Sequence, residues 1–312
     1  MLPTHLEFEG KRIALKYHRL LSGSGQAPPN SLAALREVVE GGAWALEFDV
    51  RLLGDGTFVL HHDPTLERET TGQGPLRALD RRAYKALRLR GYDEPPATLA
   101  EAVAYLGRVT RPLKVQVDLK EEFLTPEAAL GFLRTLEPLR ANPAMRLVVG
   151  SLADWNLRLL KRLDPGLAIG FDPAFYLDAP AGEWARLPVR VNAYGYLDDH
   201  PLGFRRFLPT VAYLEDRLEA LLRSVPPFQE LYLRKEFLVQ ALADGVDPVA
   251  FARRLLGRVW VDVWTLNPWE EGFRGYLEAA LVSGVDQITT DTPLGLMAVS
   301  PPPGGPGGLF PG

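Results

Sequence analysis

The segment ALEFDVRLLGDGTFVLHHDPTL, residues 45–66, concentrates side chains that can carry out chemistry. Glu47 and Asp49 are two positions apart in an apolar run, so on a strand their side chains point to the same face. Two carboxylates this close disfavour each other's ionisation unless a cation or several hydrogen-bond donors compensate. The spacing therefore favours a divalent metal ion as their partner, and a polar patch bonded to backbone amides is the alternative.

Further polar side chains follow other apolar runs. His18 and Arg19 end the first run, His62 ends the run FVLHH, and VQVDLK places Asp118 and Lys120 on one face at the end of a third run. Three carboxylates in a chain without cysteine suit Mg²⁺, Ca²⁺ or Mn²⁺, and they leave open positions for water and substrate. We therefore expect one divalent cation as the cofactor.

The cationic and imidazole side chains, together with the carboxylates, indicate a reaction class. Arg19 and Lys120 can hold a phosphate, the first by its planar fork and the second as a point charge, although Lys120 can also simply pair with a carboxylate. His18 and His62 can exchange protons with a substrate hydroxyl and a leaving alcohol near neutral pH, although a lone histidine is often structural. Together these residues predict metal-assisted cleavage of a phosphate ester.

The elements that must position these residues alternate along the chain. Short β-type runs are predicted at residues 12–17, 44–51, 113–119, 146–150, 167–171, 230–233, 259–265 and 287–290. Helical patterns lie between them at 31–40, 79–89, 99–106, 126–139, 153–163, 248–256 and 268–283. Eight strands with intervening helices predict an α/β fold, a single (β/α)8 TIM-type barrel, whose chemistry lies at the carboxyl ends of the strands.

One connection is longer than a simple crossover. Residues 171–229 hold an additional β-type run at 189–194 and a helical pattern at 214–222, so we expect an elaborated connection there. Its aromatic residues can form a lid, an interface or a satellite core: Phe171, Phe175, Tyr176, Trp184, Tyr194 and Tyr196. We expect residues 1–299 to form the barrel domain and the Pro/Gly-rich residues 300–312 to form a flexible tail.

Composition excludes several functional classes. A net charge of -4 provides no broad positive field for a nucleic acid or an anionic membrane surface. Without cysteine there is no disulfide, thiolate chemistry or Cys-based zinc site. Neither a signal peptide nor a long apolar span is recognisable, so the sequence predicts a cytoplasmic protein without a stable membrane anchor that acts on a small molecule.

An ordered set of motifs along nearly the whole chain resembles the glycerophosphodiester phosphodiesterase family. The motifs are HR at 18–19, NSLAAL at 30–35, GAWALEFDV at 42–50, DGTFVLHHDPTLERETTGQG at 55–74, PPATLAEAV at 95–103, VDLK at 117–120, VWTLN at 263–267 and GVDQITTDTP at 284–293. Each piece is common on its own, but the ordered set is specific.

The resemblance implies a fold, an activity and roles. Family members are (β/α)8 barrels that hydrolyse glycerophosphodiesters to sn-glycerol 3-phosphate and an alcohol, and the glycerol 2-hydroxyl is proposed to attack phosphorus before water opens the cyclic ester. The roles it implies are the metal for Glu47, Asp49 and Asp118, acid and base for His18 and His62, and phosphate binding for Arg19 and Lys120. His61 should face away from the site.

Some positions depart from the family pattern, and other roles stay open. Leu20 replaces the usual Gly after the His-Arg pair, Pro29 replaces a Glu, and Asp118 replaces the usual Glu of the third strand. Two alternatives therefore remain: a phospholipase D-like lyase of the same fold that stops at a cyclic phosphate, and a barrel that binds a phosphorylated ligand without turnover. Trp264 is either a substrate contact or barrel packing, and Asp63 and Asp291 are interpreted as structural hydrogen-bonding residues.

Overall fold

A computed structural model of the chain describes residues 1–177 and 209–299. Its strands are β1 (His5–Phe8), β2 (Lys11–Tyr17), β3 (Ala45–Leu52), β4 (Phe58–Leu60), β5 (Leu113–Leu119), β6 (Met145–Ser151), β7 (Ile169–Phe171), β8 (Glu230–Arg234), β9 (Trp260–Trp264) and β10 (Gln287–Thr290). The predicted run at 189–194, the tail at 300–312 and the aromatic residues Trp184, Tyr194 and Tyr196 lie outside the described residues.

Eight of these strands close into a parallel barrel. The neighbours run β2, β10, β9, β8, β7, β6, β5, β3, and a pairing of β2 with β3 closes the ring. β1 and β4 are antiparallel additions to β2 and β3. The predicted (β/α)8 barrel is confirmed, and its apolar strand faces pack against the surrounding helices in one continuous core.

The structure describes ten α-helices, several of which begin at a residue whose side chain caps the first turn. They are α1 (Leu32–Glu40), α2 (Arg81–Ala86), α3 (Leu99–Leu106), α4 (Pro126–Arg140), α5 (Asp154–Leu163), α6 (Thr210–Ser224), α7 (Lys235–Ala243), α8 (Pro248–Leu256), α9 (Phe273–Val282) and α10 (Pro293–Val299). Ser31 caps α1 through its hydroxyl, and Thr98 forms a reciprocal capping box with Glu101 at α3. In the described ranges, none of the helices has the length and apolarity needed to cross a bilayer.

Two helices lie where no helical pattern was recognised. α7 follows β8 without a turn, because Arg234 is at once the last strand residue and the residue that precedes the helix. α10 is a short helix after β10. The predicted helix at 214–222 lies inside α6, whereas the helices predicted at 79–89 and 268–283 are shorter in the structure, at α2 and α9.

A hairpin excursion after β3 carries one of the adjacent histidines to the barrel mouth. The Asp55-Gly56 turn joins β3 to β4, as its sequence predicts. A separate small core supports the excursion: Leu53, Val59, Leu66, Leu76 and Tyr84. His61 is fully buried beside it, with Nε2 on the carbonyl oxygen of Thr65 at 3.0 Å and Nδ1 near the hydroxyl of Tyr84 at 3.3 Å.

The barrel axis is closed by a large side chain and an ionic layer. The Tyr232 ring lies across the interior, where a Cβ on Gly170 would approach its hydroxyl to 2.2 Å and a Cβ on Gly150 would approach the ring to 3.0 Å. Gly150 on β6 and Gly170 on β7 are therefore required, because the Tyr232 side chain leaves no room for a Cβ atom at either position. Below this ring, Lys114 binds Glu230 at 2.7 Å and Gln287 at 2.8 Å. The barrel thus has a solid floor.

Candidate active site

A cavity of about 130 Å³ occupies the barrel mouth at the carboxyl ends of the strands, and we call it the catalytic cup. Its lining includes seven of the eight residues proposed from sequence: His18, Arg19, Glu47, His62, Asp118, Lys120 and Trp264. The other lining residues are Lys16, Gln116, Leu152, Asp172, Tyr232, Thr265 and Thr289. Asp49, the eighth proposed residue, is fully buried immediately behind this lining. The residues selected for chemistry therefore come together.

Strand register brings the three carboxylates into one cluster. Asp49 of β3 is the direct partner of Asp118 of β5, and Glu47 lies two residues earlier on the same face of β3. One ligand oxygen from each of the three lies within 4.8 Å of the others. Asp118, although a methylene shorter than the usual Glu, still reaches the cluster.

Cationic groups surround part of this cluster. Lys120 Nζ lies 2.6 Å from Asp118 Oδ2 and 3.2 Å from Asp49 Oδ1, while Arg19 Nε lies 3.1 Å from Asp49 Oδ2. The Asn30 amide also donates to Asp49 at 2.9 Å. Lys120 and Arg19 thus pair with carboxylates at the cup wall, where they can also present charge to a phosphate.

The pKa values of the two neighbouring carboxylates of β3 shift in opposite directions. Burial and the negative charge of Asp49 raise the pKa of Glu47 to about 7. Burial acts in the same direction on Asp49, but the charges of Lys120, His62 and Arg19 hold the pKa of Asp49 below its ordinary value. Glu47 is therefore the less compensated of the two carboxylates, although His18 and Lys120 act to lower its pKa.

The donor set fits a divalent cation. Glu47 is 2% exposed; its Oε2 accepts from the backbone N–H of Arg19 at 2.8 Å, but Oε1 is buried without a hydrogen-bond partner among the described residues. An orphaned carboxylate oxygen facing two further carboxylates is the arrangement that Mg²⁺, Ca²⁺ or Mn²⁺ would satisfy. A second acidic group, His62, Asp63 and Glu69, is instead occupied by hydrogen bonds to Arg68 and to backbone N–H groups.

His18 is oriented by a carboxylate from the last strand. Its Nδ1 lies 2.6 Å from Asp291 Oδ1, and Asn267 donates its amide N–H to Asp291 Oδ2 at 2.7 Å. Asn267 is itself fixed, because its carbonyl oxygen accepts from the backbone N–H of Asp291 at 2.9 Å and from the Thr290 hydroxyl at 3.1 Å. Asp291 therefore holds the imidazole in a defined orientation, with Nε2 left for a substrate.

His62 is supported by its neighbour in sequence and by Arg68, whose guanidinium lies 2.8 Å from His62 Nδ1. Its Nδ1 lies 2.6 Å from Asp63 Oδ1, and the guanidinium of Arg68 binds both oxygens of Asp63. Burial lowers the pKa of His62, against the opposing charge of Asp49. The expected separation of the two histidines is confirmed: His62 lines the cup, and His61 is buried in the excursion.

The loop that presents His18 and Arg19 has unusual backbone geometry. Arg19 and Leu20 have positive φ angles of 49° and 65°, a region that favours glycine. The Leu20 side chain is 1% exposed and packs in the main core, so it does not project into the cup. The replacement of Gly by Leu therefore does not narrow the cup. Pro29 lies in the loop wall near Arg19, outside the cup lining.

Several residues of the site were missed or interpreted differently from sequence. Asp63 and Asp291 are more than structural hydrogen-bonding residues, because each orients a histidine of the cup. Asp172 follows β7, and burial raises its pKa to about 7. Trp264 ends β9 at the cup wall, and its buried Nε1–H has no partner among the described residues. Among these roles, only that of Asp63 had a signal in the sequence, namely its direct adjacency to His62.

Comparison with known proteins identifies the family to which the chain belongs. The model of the glycerophosphoryl diester phosphodiesterase family matches residues 18–294. The chain belongs to this family. A glycerophosphodiester phosphodiesterase of Caldanaerobacter subterraneus is 27% identical over 236 residues, which cover 72% of this chain and 89% of the relative. Glycerophosphodiester phosphodiesterase 1 of mouse is 36% identical over 142 residues, or 43% of this chain and 42% of the relative, so the match spans less than half of the mouse protein.

Solved structures share the barrel. A phosphodiesterase of Oleispira antarctica, solved with its product sn-glycerol-3-phosphate, superimposes with a TM-score of 0.61 at 22% identity and covers 91% of this chain and 95% of that one. A glycerophosphodiester phosphodiesterase of Thermotoga maritima gives a TM-score of 0.58 at 20% identity, covering 92% and 98%. At these identities the likeness concerns the fold.

Proposed function

We propose that this protein hydrolyses glycerophosphodiesters to sn-glycerol 3-phosphate and an alcohol, with a divalent cation and two histidines. One observation carries the proposal: His18 and His62, each held through Nδ1 by a carboxylate, line the same cup as a cluster of three carboxylates. A binding module has no need to orient two imidazoles in this way, whereas acid–base catalysis needs a defined tautomer on each. Family membership supports the same reaction class.

The residues can divide the reaction into two balanced steps. In the first, His18 Nε2 takes the proton of the glycerol 2-hydroxyl, the hydroxyl oxygen bonds to phosphorus, and the bond from phosphorus to the leaving alcohol breaks. His62, as an imidazolium with Nδ1 on Asp63, gives its Nε2 proton to that departing oxygen and becomes neutral. In the second step the roles reverse: His62 takes a proton from the water molecule that attacks the cyclic ester, the bond to the 2-oxygen breaks, and His18 returns its proton to that oxygen, so that sn-glycerol 3-phosphate results.

Charged residues bind the phosphate and stabilise the pentacoordinate transition state. Arg19 and Lys120 can turn from their carboxylates towards phosphate oxygens, because each lies at the cup wall. A divalent cation bound to Glu47, Asp49 and Asp118 would polarise a phosphate oxygen and neutralise developing charge. Trp264 would pack against the substrate beside them.

Location and extent are proposed from the sequence. The protein would act in the cytoplasm through residues 1–299, on small molecules and not on nucleic acid. The net charge of -4 supports the last point, because a polyanion finds no broad positive surface. Residues 300–312 would form the flexible tail.

The test is turnover of glycerophosphodiesters by metal-stripped and metal-reloaded protein, with sn-glycerol 3-phosphate as the measured product. Mg²⁺, Mn²⁺ or Ca²⁺ should restore activity after chelation. His18→Ala and His62→Ala should each lower kcat by about 10²–10⁴-fold, while His61→Ala should cost much less. Turnover by stripped protein at the full rate would contradict the cation's role. Equal losses for His61→Ala and His62→Ala would contradict the site, and a cyclic phosphate as the final product would favour the lyase.

A further inference from the structure

A second cavity of about 420 Å³ adjoins the catalytic cup, and we call it the side groove. The two cavities share four residues of their walls: His62, Lys120, Leu152 and Trp264. Because the groove begins at His62, a group attached to phosphorus in the cup can extend into it without leaving the protein surface. Its volume lies within the roughly 300–1,000 Å³ typical of small-molecule sites.

The groove is apolar where the cup is polar. Leu119 at the end of β5, Ala153 before α5, and Ala174 and Phe175 after β7 line it. Beyond Phe175 the apolar surface continues as a stack of three rings, with Trp155 6.4 Å from Phe175 and 5.6 Å from Phe123 between centroids. Phe123, the outermost ring, is 72% exposed.

The charges around the groove disfavour a cationic occupant. Glu121 is buried and is paired with Arg77 and Arg51, so its negative charge is already compensated. Glu122 is an exposed carboxylate at the edge, whereas Lys120 and Arg234 also line the groove. Lys120 is paired with Asp118 and Arg234 with Glu236, so neither adds uncompensated positive charge. An ammonium group would lose its hydration on entering the groove and would gain only the exposed Glu122 as an ion-pair partner, which repays little of that cost.

The cup, in contrast to the side groove, suits a polar substituent. Its wall also includes Lys16, Gln116, Tyr232 and Thr289, whose polar groups bond within the protein, Lys16 to Gln116 and Asp262, Thr289 to Asp262 and Tyr232 to Glu230. The cup thus presents a polar surface to glycerol hydroxyls. At about 130 Å³ it has room for a phosphorylated glycerol and little more. The two ester groups of a substrate are thus sorted by polarity, with glycerol in the cup and the second alcohol in the side groove.

We infer that the preferred substrates are glycerophosphodiesters whose leaving alcohol is uncharged and apolar, an alkyl or aryl group that lies in the side groove. This inference rests on the proposed function and specifies its substrate class. The adjacency to His62 agrees with the role of that residue in protonating the leaving oxygen. A methylene group that is fully removed from water improves binding by about fourfold.

The experiment compares sn-glycero-3-phosphate diesters of methanol, butanol and hexanol with sn-glycero-3-phosphocholine, using the metal-loaded full chain. All four release sn-glycerol 3-phosphate, so one assay reports kcat/KM for each. With about half of the added apolar surface buried, the hexyl diester should exceed the methyl diester by roughly 30-fold, and it should also exceed the choline diester. Phe175→Ala should lower the hexyl-to-methyl ratio by about fivefold or more.

Controls separate the possible failures. Val282→Ala truncates an exposed apolar residue of α9, far from the groove in the fold, and should leave the ratio unchanged. Ala174→Asp provides a second groove variant, and its methyl-diester rate reports whether it has folded. A hexyl diester no better than the methyl diester would overturn the inference while leaving the proposed function intact. A ratio insensitive to both groove variants would do the same. No turnover of any diester would overturn the proposed function itself.

Discussion

The hydrogen bonds around His18 make Asp291→Asn a sharp test of how that histidine is held. Asn267 presents its amide N–H to Asp291 Oδ2 and cannot turn, since its own oxygen is engaged by the Asp291 backbone and by Thr290. An asparagine at 291 must therefore direct its oxygen to Asn267 and its NH₂ to His18 Nδ1. Nδ1 would become an acceptor, the proton would reside on Nε2, and the imidazole could not act as a base.

The expected loss follows from this change of tautomer. The same carboxylate-to-amide change in a Ser-His-Asp triad lowers kcat by about 10⁴-fold for the same reason, so we expect a loss of about 10²–10⁴-fold in kcat here. Asp291→Ala removes the constraint without imposing the wrong tautomer, and it should retain about tenfold more activity than the asparagine variant. Metal affinity should not change, because Asp291 is outside the carboxylate cluster.

The assay is steady-state release of sn-glycerol 3-phosphate with saturating cation, accompanied by thermal unfolding to show that both variants are folded. A kcat for Asp291→Asn within about threefold of the kcat of the unmodified protein would refute the role of the tautomer. Equal losses for the two variants would show that orientation alone, and not the position of the proton, is what Asp291 provides.

The remaining predictions concern the cation and the Leu20 backbone. Glu47→Gln should weaken Mg²⁺ or Mn²⁺ binding by at least tenfold in calorimetric titration, whereas Asp63→Asn should retain it, because only Glu47 contributes to the cluster. The pKa of Glu47, raised to about 7, means that protons compete with the cation, so affinity should fall about tenfold per pH unit below 7. With the cation removed, the folded state binds the Glu47 proton more tightly than the unfolded chain, so Glu47 contributes about 3 kcal/mol of stability at about pH 4.5 that is lost as pH rises to about 7.5. Asp172, whose pKa is also raised to about 7, contributes in the same direction. Denaturant unfolding should therefore show that Glu47→Gln makes the fall in stability over this pH range shallower by about 3 kcal/mol. Leu20→Gly should relieve the positive φ angle yet lower the free energy of unfolding by about 2 kcal/mol, because the buried side chain is lost; a stabilised variant would contradict this balance.

Much of the barrel is encoded locally and was therefore predictable. Apolar runs, most of them with β-branched residues, indicated all eight barrel strands, and the period-two spacing of Glu47 and Asp49 indicated a shared face. α7 was missed because it starts directly after β8, with neither a turn nor a capping side chain to mark it. The predicted helix at 268–283 was too long because its first residues form turns that end at Gly272, which has a positive φ angle.

The support of the two histidines could not be deduced in the same way. Asp291 comes 273 positions after His18, and the two meet only because β10 pairs with β2 when the barrel closes, with Thr290 opposite Tyr17. That contact depends on the register of the closing strands, which no local pattern reports. Asp63 adjoins His62 in sequence, yet its role depends on Arg68 gripping the carboxylate.

The solid floor of the barrel has a kinetic consequence. Tyr232 and the Lys114–Glu230 pair block the axis, so anything that enters the cup along that axis must also depart from the end at which it entered. In the proposed two-step reaction, the leaving alcohol would have to clear the mouth before a water molecule could reach phosphorus from that side. Until then the alcohol and water would compete for the same cyclic ester, and a slowly departing alcohol could return to phosphorus and regenerate the diester. The rate of commitment to hydrolysis would thus be set partly by the residence time of the first product.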